Sequence, residues 1–130
     1  MTETGPAEGP RVLLVDDDLQ NVAVLREALQ TEGFVVVGDA ADGASGVEIA
    51  GSLRPDVVLM DLRMPGMDGF EATRLILDQN PDTQIIILTA YEELLTDSAE
   101  SVGAFAYLVK GCSVDLMRDV ITQAWRRRTR

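Results

Sequence analysis

Five short aliphatic runs, at 12–15, 34–37, 57–60, 84–88 and 105–109, alternate with longer stretches in which apolar residues recur every three or four positions. The runs are too short for helices and nearly continuous in apolar character, the pattern of strands buried on both faces. The longer stretches predict helices over 19–31, 44–53, 69–79, 92–102 and 114–127, with Val22, Leu25 and Leu29 inward in the first and Val47, Ile49, Ala50 and Leu53 inward in the second. Glu32-Gly33, Arg54-Pro55 and Asn80-Pro81 punctuate the helix ends, and Ser113 stands where the last helix needs an N-cap. Strict alternation of strand and helix implies an α/β fold with a parallel sheet covered on both faces. Right-handed crossovers leave two common doubly wound orders. With five strands and no Gly-x-Gly-x-x-Gly after the first, a five-stranded parallel sheet of order 2-1-3-4-5 with five helices is expected.

At 130 residues and 46% apolar content, the chain fits one domain with one core. Residues 11–127 are expected to form it, between a disordered tail at 1–10 and a short tail at 128–130. No apolar run approaches the roughly 20 residues needed to span a bilayer. The acidic, Pro- and Gly-broken start is unlike a signal peptide, so a cytoplasmic protein without membrane contact is expected. The single cysteine, Cys112, supports no internal disulfide. A net charge of −11 argues against direct binding to nucleic-acid backbones. The one basic cluster, Arg126 to Arg128 with Arg130, reads as a solvated helix end favoured by the helix dipole, or as a junction or partner contact. The absence of histidine excludes imidazole nucleophiles, bases and metal ligands from the chain, and Lys110 is its only lysine.

In a doubly wound sheet, function gathers at the carboxyl ends of the strands, near the switch point between strands one and three. Strand one ends in Asp16-Asp17-Asp18, strand three in Asp61, strand four in Thr89 and strand five in Lys110. Strand two ends in Gly38-Asp39 but is placed outside strand one. Crowded carboxylates repel unless a cation intervenes. Oxygen ligands without histidine suit a hard ion, Mg²⁺ in particular, which is content with one or two carboxylates plus a phosphate oxygen. A carboxylate flanked by Mg²⁺, an ammonium and a hydroxyl is suited to accepting a phosphoryl group. Singly, each residue has a plainer role: Asp16 to Asp18 as a helix cap and acidic first turn, Asp61 as a loop residue, Thr89 and Lys110 as strand ends.

The segments Leu-Leu-Val-Asp-Asp-Asp (13–18), Asp-Val-Val-Leu-Met-Asp-Leu-Arg-Met-Pro-Gly-Met-Asp-Gly (56–69), Ile-Ile-Ile-Leu-Thr-Ala (85–90) and Tyr-Leu-Val-Lys-Gly (107–111) occur in this order. With them the chain resembles the receiver domains of two-component response regulators over nearly all of 11–127. The resemblance implies that Asp61 is the phosphoacceptor, and that Asp16 and Asp17 hold Mg²⁺ together with Asp61 and the backbone carbonyl of Arg63. It implies that Thr89 is the switch hydroxyl, that Lys110 pairs with the phosphoryl group, and that the rotamer of Tyr107 follows Thr89. It further implies a phosphorelay signalling domain that catalyses only its own phosphorylation and dephosphorylation, and is otherwise not an enzyme. The donor would be a sensor histidine kinase or phosphotransfer protein. An output domain or a second copy, as a homodimer, would dock on the face made by the fourth helix, fifth strand and fifth helix.

Two departures stand out. Many receivers have proline with a cis bond after the lysine, whereas Gly111 stands here. Arg63 and Tyr91 resemble the positions that tune self-dephosphorylation, and neither is acidic or amide-bearing, which implies a long-lived phosphoryl state. Met60, Met64 and Met67 are explained by packing. Three other readings compete: a haloacid-dehalogenase-like phosphatase with Asp16 as nucleophile in Asp16-x-Asp18, a flavodoxin-like binding module, and a phosphorylation-independent pseudo-receiver.

Overall fold

The computed structural model describes residues 9–90 and 102–128. Its elements run β1 (Arg11–Val15), α1 (Leu19–Thr31), β2 (Val35–Ala40), α2 (Gly43–Leu53), β3 (Val57–Met60), α3 (Gly69–Gln79), β4 (Gln84–Thr89), β5 (Ala106–Val109) and α4 (Val114–Arg127). All neighbouring strands pair in parallel in the order β2-β1-β3-β4-β5. The expected α/β class and strand order are observed. Four helices occur among the described residues, not five. The helix expected over 92–102 lies, except for Val102, outside the described residues.

Alternation along each strand divides the core into two layers. Val12 and Leu14 of β1, Val57 and Leu59 of β3, and Ile86 and Leu88 of β4 pack with Val22 and Leu29 of α1 and Met117, Ile121 and Ala124 of α4. The intervening Leu13, Val15, Val58, Met60, Ile85 and Ile87 pack with Ala50 of α2 and Ala72 and Ile76 of α3. Burial of side chains of this size stabilises the fold by about 1.5–3 kcal/mol each. Leu25, Val47 and Ile49 pack at the margins of these layers, and Leu53 is more exposed than expected. Met60, Met64 and Met67 belong to the second layer, as packing required.

Each of the four helices opens with a side-chain cap: Asp18, Asp42, Asp68 and Ser113 accept from backbone N–H groups of the following turn. Pro10 is already buried, and its carbonyl accepts from the Val35 N–H at 3.1 Å. Strand β2 extends beyond the expected 34–37, through Gly38 and Asp39 to Ala40, with a register shift against β1 between Val12 and Leu13. That extension matters, because the Ala40 carbonyl accepts the N–H of Asp16 at 3.0 Å. Asp39 ion-pairs with Arg26 of α1, away from Asp61.

Candidate functional site

Backbone pairing continues one step past the strands and sets the acidic residues side by side. The Asp61 N–H donates to the Val15 carbonyl at 2.9 Å, and the Lys110 N–H donates to the Thr89 carbonyl at 2.8 Å. The loop after β3 must turn back sharply over Asp61. Gly69 opens α3 so close to it that a Cβ there would sit 2.9 Å from the Asp61 carbonyl carbon and 2.9 Å from Leu62 Cα. The Gly69 N–H closes the loop on the Leu62 carbonyl at 3.0 Å. The loop from β5 to α4 turns at Gly111, whose φ of 93° favours glycine, and no peptide bond among the described residues is cis.

The side chains converge. One carboxylate oxygen from each of Asp16, Asp17 and Asp61 lies within 4.8 Å of the others. Asp16 and Asp61 are 4% and 5% exposed, whereas Asp17 faces solvent. Lys110 bridges the buried pair, its Nζ 3.0 Å from Asp16 Oδ2 and 3.5 Å from Asp61 Oδ2. Thr89 is fully buried at the end of β4. Arg63 is exposed in the loop after Asp61, on the rim of an open cavity of about 500 Å³ lined by Leu62, Met64, Pro65, Asp68 and Phe70. Tyr107 is 43% exposed in β5. Tyr91 lies outside the described residues. At the opposite end of α4, Arg127 lies over the Phe105 ring and Arg128 pairs with Asp56, so the basic terminus is partly engaged by the domain itself.

Asp18 is separated from this group by its capping role. Its Oδ1 accepts from the Gln20 and Asn21 N–H groups at 3.1 and 3.2 Å. The phosphatase reading, which draws on Asp16-x-Asp18, is therefore not favoured. Sequence reading missed Asn21, whose Nδ2 donates to Asp16 Oδ2 at 2.7 Å. The available signal was an amide in the first turn of the helix that follows the acidic run.

Electrostatics differ between the two buried carboxyls. Burial pushes Asp61 up to about 6, reinforced by the charge of Asp16 and only partly opposed by Lys110. For Asp16, burial acts in the same direction but is outweighed by hydrogen bonds from the Asp18 N–H, Asn21 and Lys110, which hold it below the usual range. Burial works against the Lys110 ammonium, but its hydrogen bond to Asp16 and the charges of Asp61 and Asp16 raise it above the usual value. One ammonium thus bridges two buried carboxylates, and Asp61 is the less compensated of the two.

Residues 12–122 match the response regulator receiver domain family. The chain is 39% identical over 117 residues to the response regulator GacA of Pseudomonas aeruginosa, covering 88% of this chain and 55% of that protein. It thus spans about half the length of the curated relatives it matches. Among solved structures, the response regulator domain of Thermotoga maritima CheB superposes with a TM-score of 0.86 at 32% identity, covering 94% of this chain and all of that one. The response regulator protein TrrA of Thermotoga maritima, solved in complex with Mg(2+)-BeF, gives 0.81 at 32% identity, covering 88% and 98%. A family match over most of the chain, the 2-1-3-4-5 sheet and the acidic cluster at its carboxyl edge agree: the chain belongs to the response regulator receiver domain family.

Proposed function

We propose that this receiver is a cytoplasmic phosphorylation switch whose acceptor is Asp61 and whose donor is a phosphohistidine on a sensor histidine kinase or phosphotransfer protein. The observation that carries this reading is the placement of Lys110 Nζ within reach of both buried carboxylates at adjoining strand ends. The donor set fits Mg²⁺: three carboxylates, two of them buried, with no nitrogen or sulfur ligand among them, and one left poorly compensated by burial. Asp16, Asp17 and Asp61, with the backbone carbonyl of Arg63, would hold the ion. When bound, it supplies positive charge to the phosphoryl oxygens.

The chain's own groups account for the rest. At pH 7 most of Asp61 is ionised, so a carboxylate oxygen is available to attack phosphorus. The phosphorus–nitrogen bond of the donor breaks as the new phosphorus–oxygen bond forms, and the electron pair leaves with the imidazole. Lys110 neutralises charge on the transferred group, and the Thr89 hydroxyl donates to a phosphoryl oxygen. Tyr107 then turns inward from its exposed position. The population shift reaches the face formed by the predicted helix over 92–102, β5 and α4, where an output domain or second copy would dock. The catalysis is confined to the domain's own phosphorylation and dephosphorylation. With Arg63 and Tyr91 at the tuning positions, the phosphoryl state is expected to be long-lived.

Incubation with acetyl phosphate and Mg²⁺, read by intact mass, is expected to add one phosphoryl group to the wild type. Omission of Mg²⁺ should suppress the adduct and Asp61→Asn should abolish it. An adduct retained by Asp61→Asn but lost in Asp16→Asn would overturn the assignment.

A further inference from the structure

We propose that Asn21 is a positioning residue for the cation site: its side-chain amide, an uncharged donor, holds Asp16 in place. The inference rests on the reading of Asp16, Asp17 and Asp61 as Mg²⁺ ligands. Asn21 lies in the first turn of α1, where side chains lean back toward the helix N-terminus and so toward the end of β1. Its own backbone N–H is occupied by the Asp18 cap at 3.2 Å, so the side chain is not needed for capping. Asp16 Oδ2 is an acceptor only, which fixes Nδ2 as the Asn21 atom facing it at 2.7 Å.

Asp16 is held at both oxygens. Oδ1 accepts the Asp18 N–H at 2.9 Å, and Oδ2 is shared between Asn21 and Lys110. The two donors on Oδ2 are not equivalent. Lys110 brings a full positive charge, which repels a divalent cation, and it also reaches Asp61 at 3.5 Å. A phosphoryl group on Asp61 would compete with Asp16 for that ammonium. Asn21 keeps its bond to Oδ2 in either case. It orients the carboxylate without cancelling the charge that attracts the metal, the way groups behind metal ligands fix ligand geometry.

The test uses Asn21→Ala and Asn21→Leu in the whole chain, with Mg²⁺ affinity measured by calorimetry. Both variants remove the donor and leave the backbone cap; alanine favours helix over asparagine, and leucine keeps the bulk. Mg²⁺ binding is expected to weaken by about 10-fold, the lower end of the range for such groups because Asp18 and Lys110 still hold Asp16. The metal-free melting temperature of Asn21→Ala should fall by only a few degrees, because buried Asp16 loses one charge-assisted hydrogen bond but keeps the Asp18 N–H and Lys110, so the variant stays folded for the titration. Phosphorylation by acetyl phosphate should slow by the same factor at low Mg²⁺ and recover at saturation. Wild-type Mg²⁺ affinity in both variants would overturn the role of Asn21. Failure of the wild type itself to bind Mg²⁺, or indifference of binding to Asp17→Asn, would instead strike the underlying reading of the site.

Discussion

The two ends of the sheet carry similar residue types and handle charge in opposite ways. At the amino edge, Asp56 stands at the entry to β3 and both its oxygens are engaged. Oδ2 accepts the Arg11 N–H at 2.9 Å, and Oδ1 pairs with Arg128 at 2.6 Å. The Arg11 guanidinium is taken by the carbonyls of Leu53 and Arg54 at 2.8 Å each. At the carboxyl edge, two buried carboxylates share one ammonium beside the exposed Asp17, and burial leaves Asp61 shifted up to about 6. One edge ties strand starts to helix ends. The other keeps uncompensated negative charge that only a further cation relieves. A balanced network reads as architecture, and an unbalanced one in a buried crevice reads as a site.

Four substitutions separate the two edges. The largest effect belongs to Gly69→Ala, which forces a methyl against the Asp61 carbonyl. A loss of about 3–4 kcal/mol in denaturant unfolding is expected, with loss of the phosphoryl adduct as the loop is displaced. Asp61→Asn should act in the opposite direction in metal-free protein. The folded value of about 6 lies above the ordinary 3.8, so the carboxyl favours the fold fully below pH 3.8 and loses that contribution as pH rises through 6. The variant should therefore match wild type near pH 3.5 and exceed it by about 3 kcal/mol above pH 7. A wild type equal to Asp61→Asn at pH 7.5 would remove the argument for stored charge.

Lys110→Met leaves two buried carboxylates without their shared ammonium. A cost of about 2 kcal/mol at pH 7.5 is expected in urea unfolding, discounted from the fully buried case because Lys110 is partly exposed, and part of it should return on adding Mg²⁺. The smallest effect is that of Asp56→Asn, which keeps an acceptor for Arg11 but loses the ion pair with Arg128. It should destabilise by about 1 kcal/mol without altering acetyl phosphate reactivity, so the same chemical change has opposite signs at the two edges.

The carboxyl edge was largely legible in the sequence because a parallel sheet concentrates function at strand ends, and apolar runs mark where strands stop. Asp16, Asp61, Thr89 and Lys110 each follow such a run. Division of labour within Asp16-Asp17-Asp18 was less legible: all three are aspartates, and only helix geometry separates the cap from the cluster. Asn21 escaped because a first-turn amide has a local capping explanation that hides its partner five residues back. The amino edge was not read at all. The Arg128–Asp56 pair joins residues 72 apart, and no local pattern announces it. The length of β2 was underestimated because the apolar run stops at Val37, whereas pairing with β1 carries the strand through Gly38 and Asp39 to Ala40.

Burial leaves the Asp61 carboxylate short of positive charge until a divalent cation arrives. A pH titration of the Asp61 side-chain carboxyl carbon by NMR, with and without Mg²⁺, reads that shortage at the atom concerned. A midpoint near 6 is expected in metal-free protein, with a marked fall when Mg²⁺ is present. A midpoint near 4 that is indifferent to Mg²⁺ would contradict it.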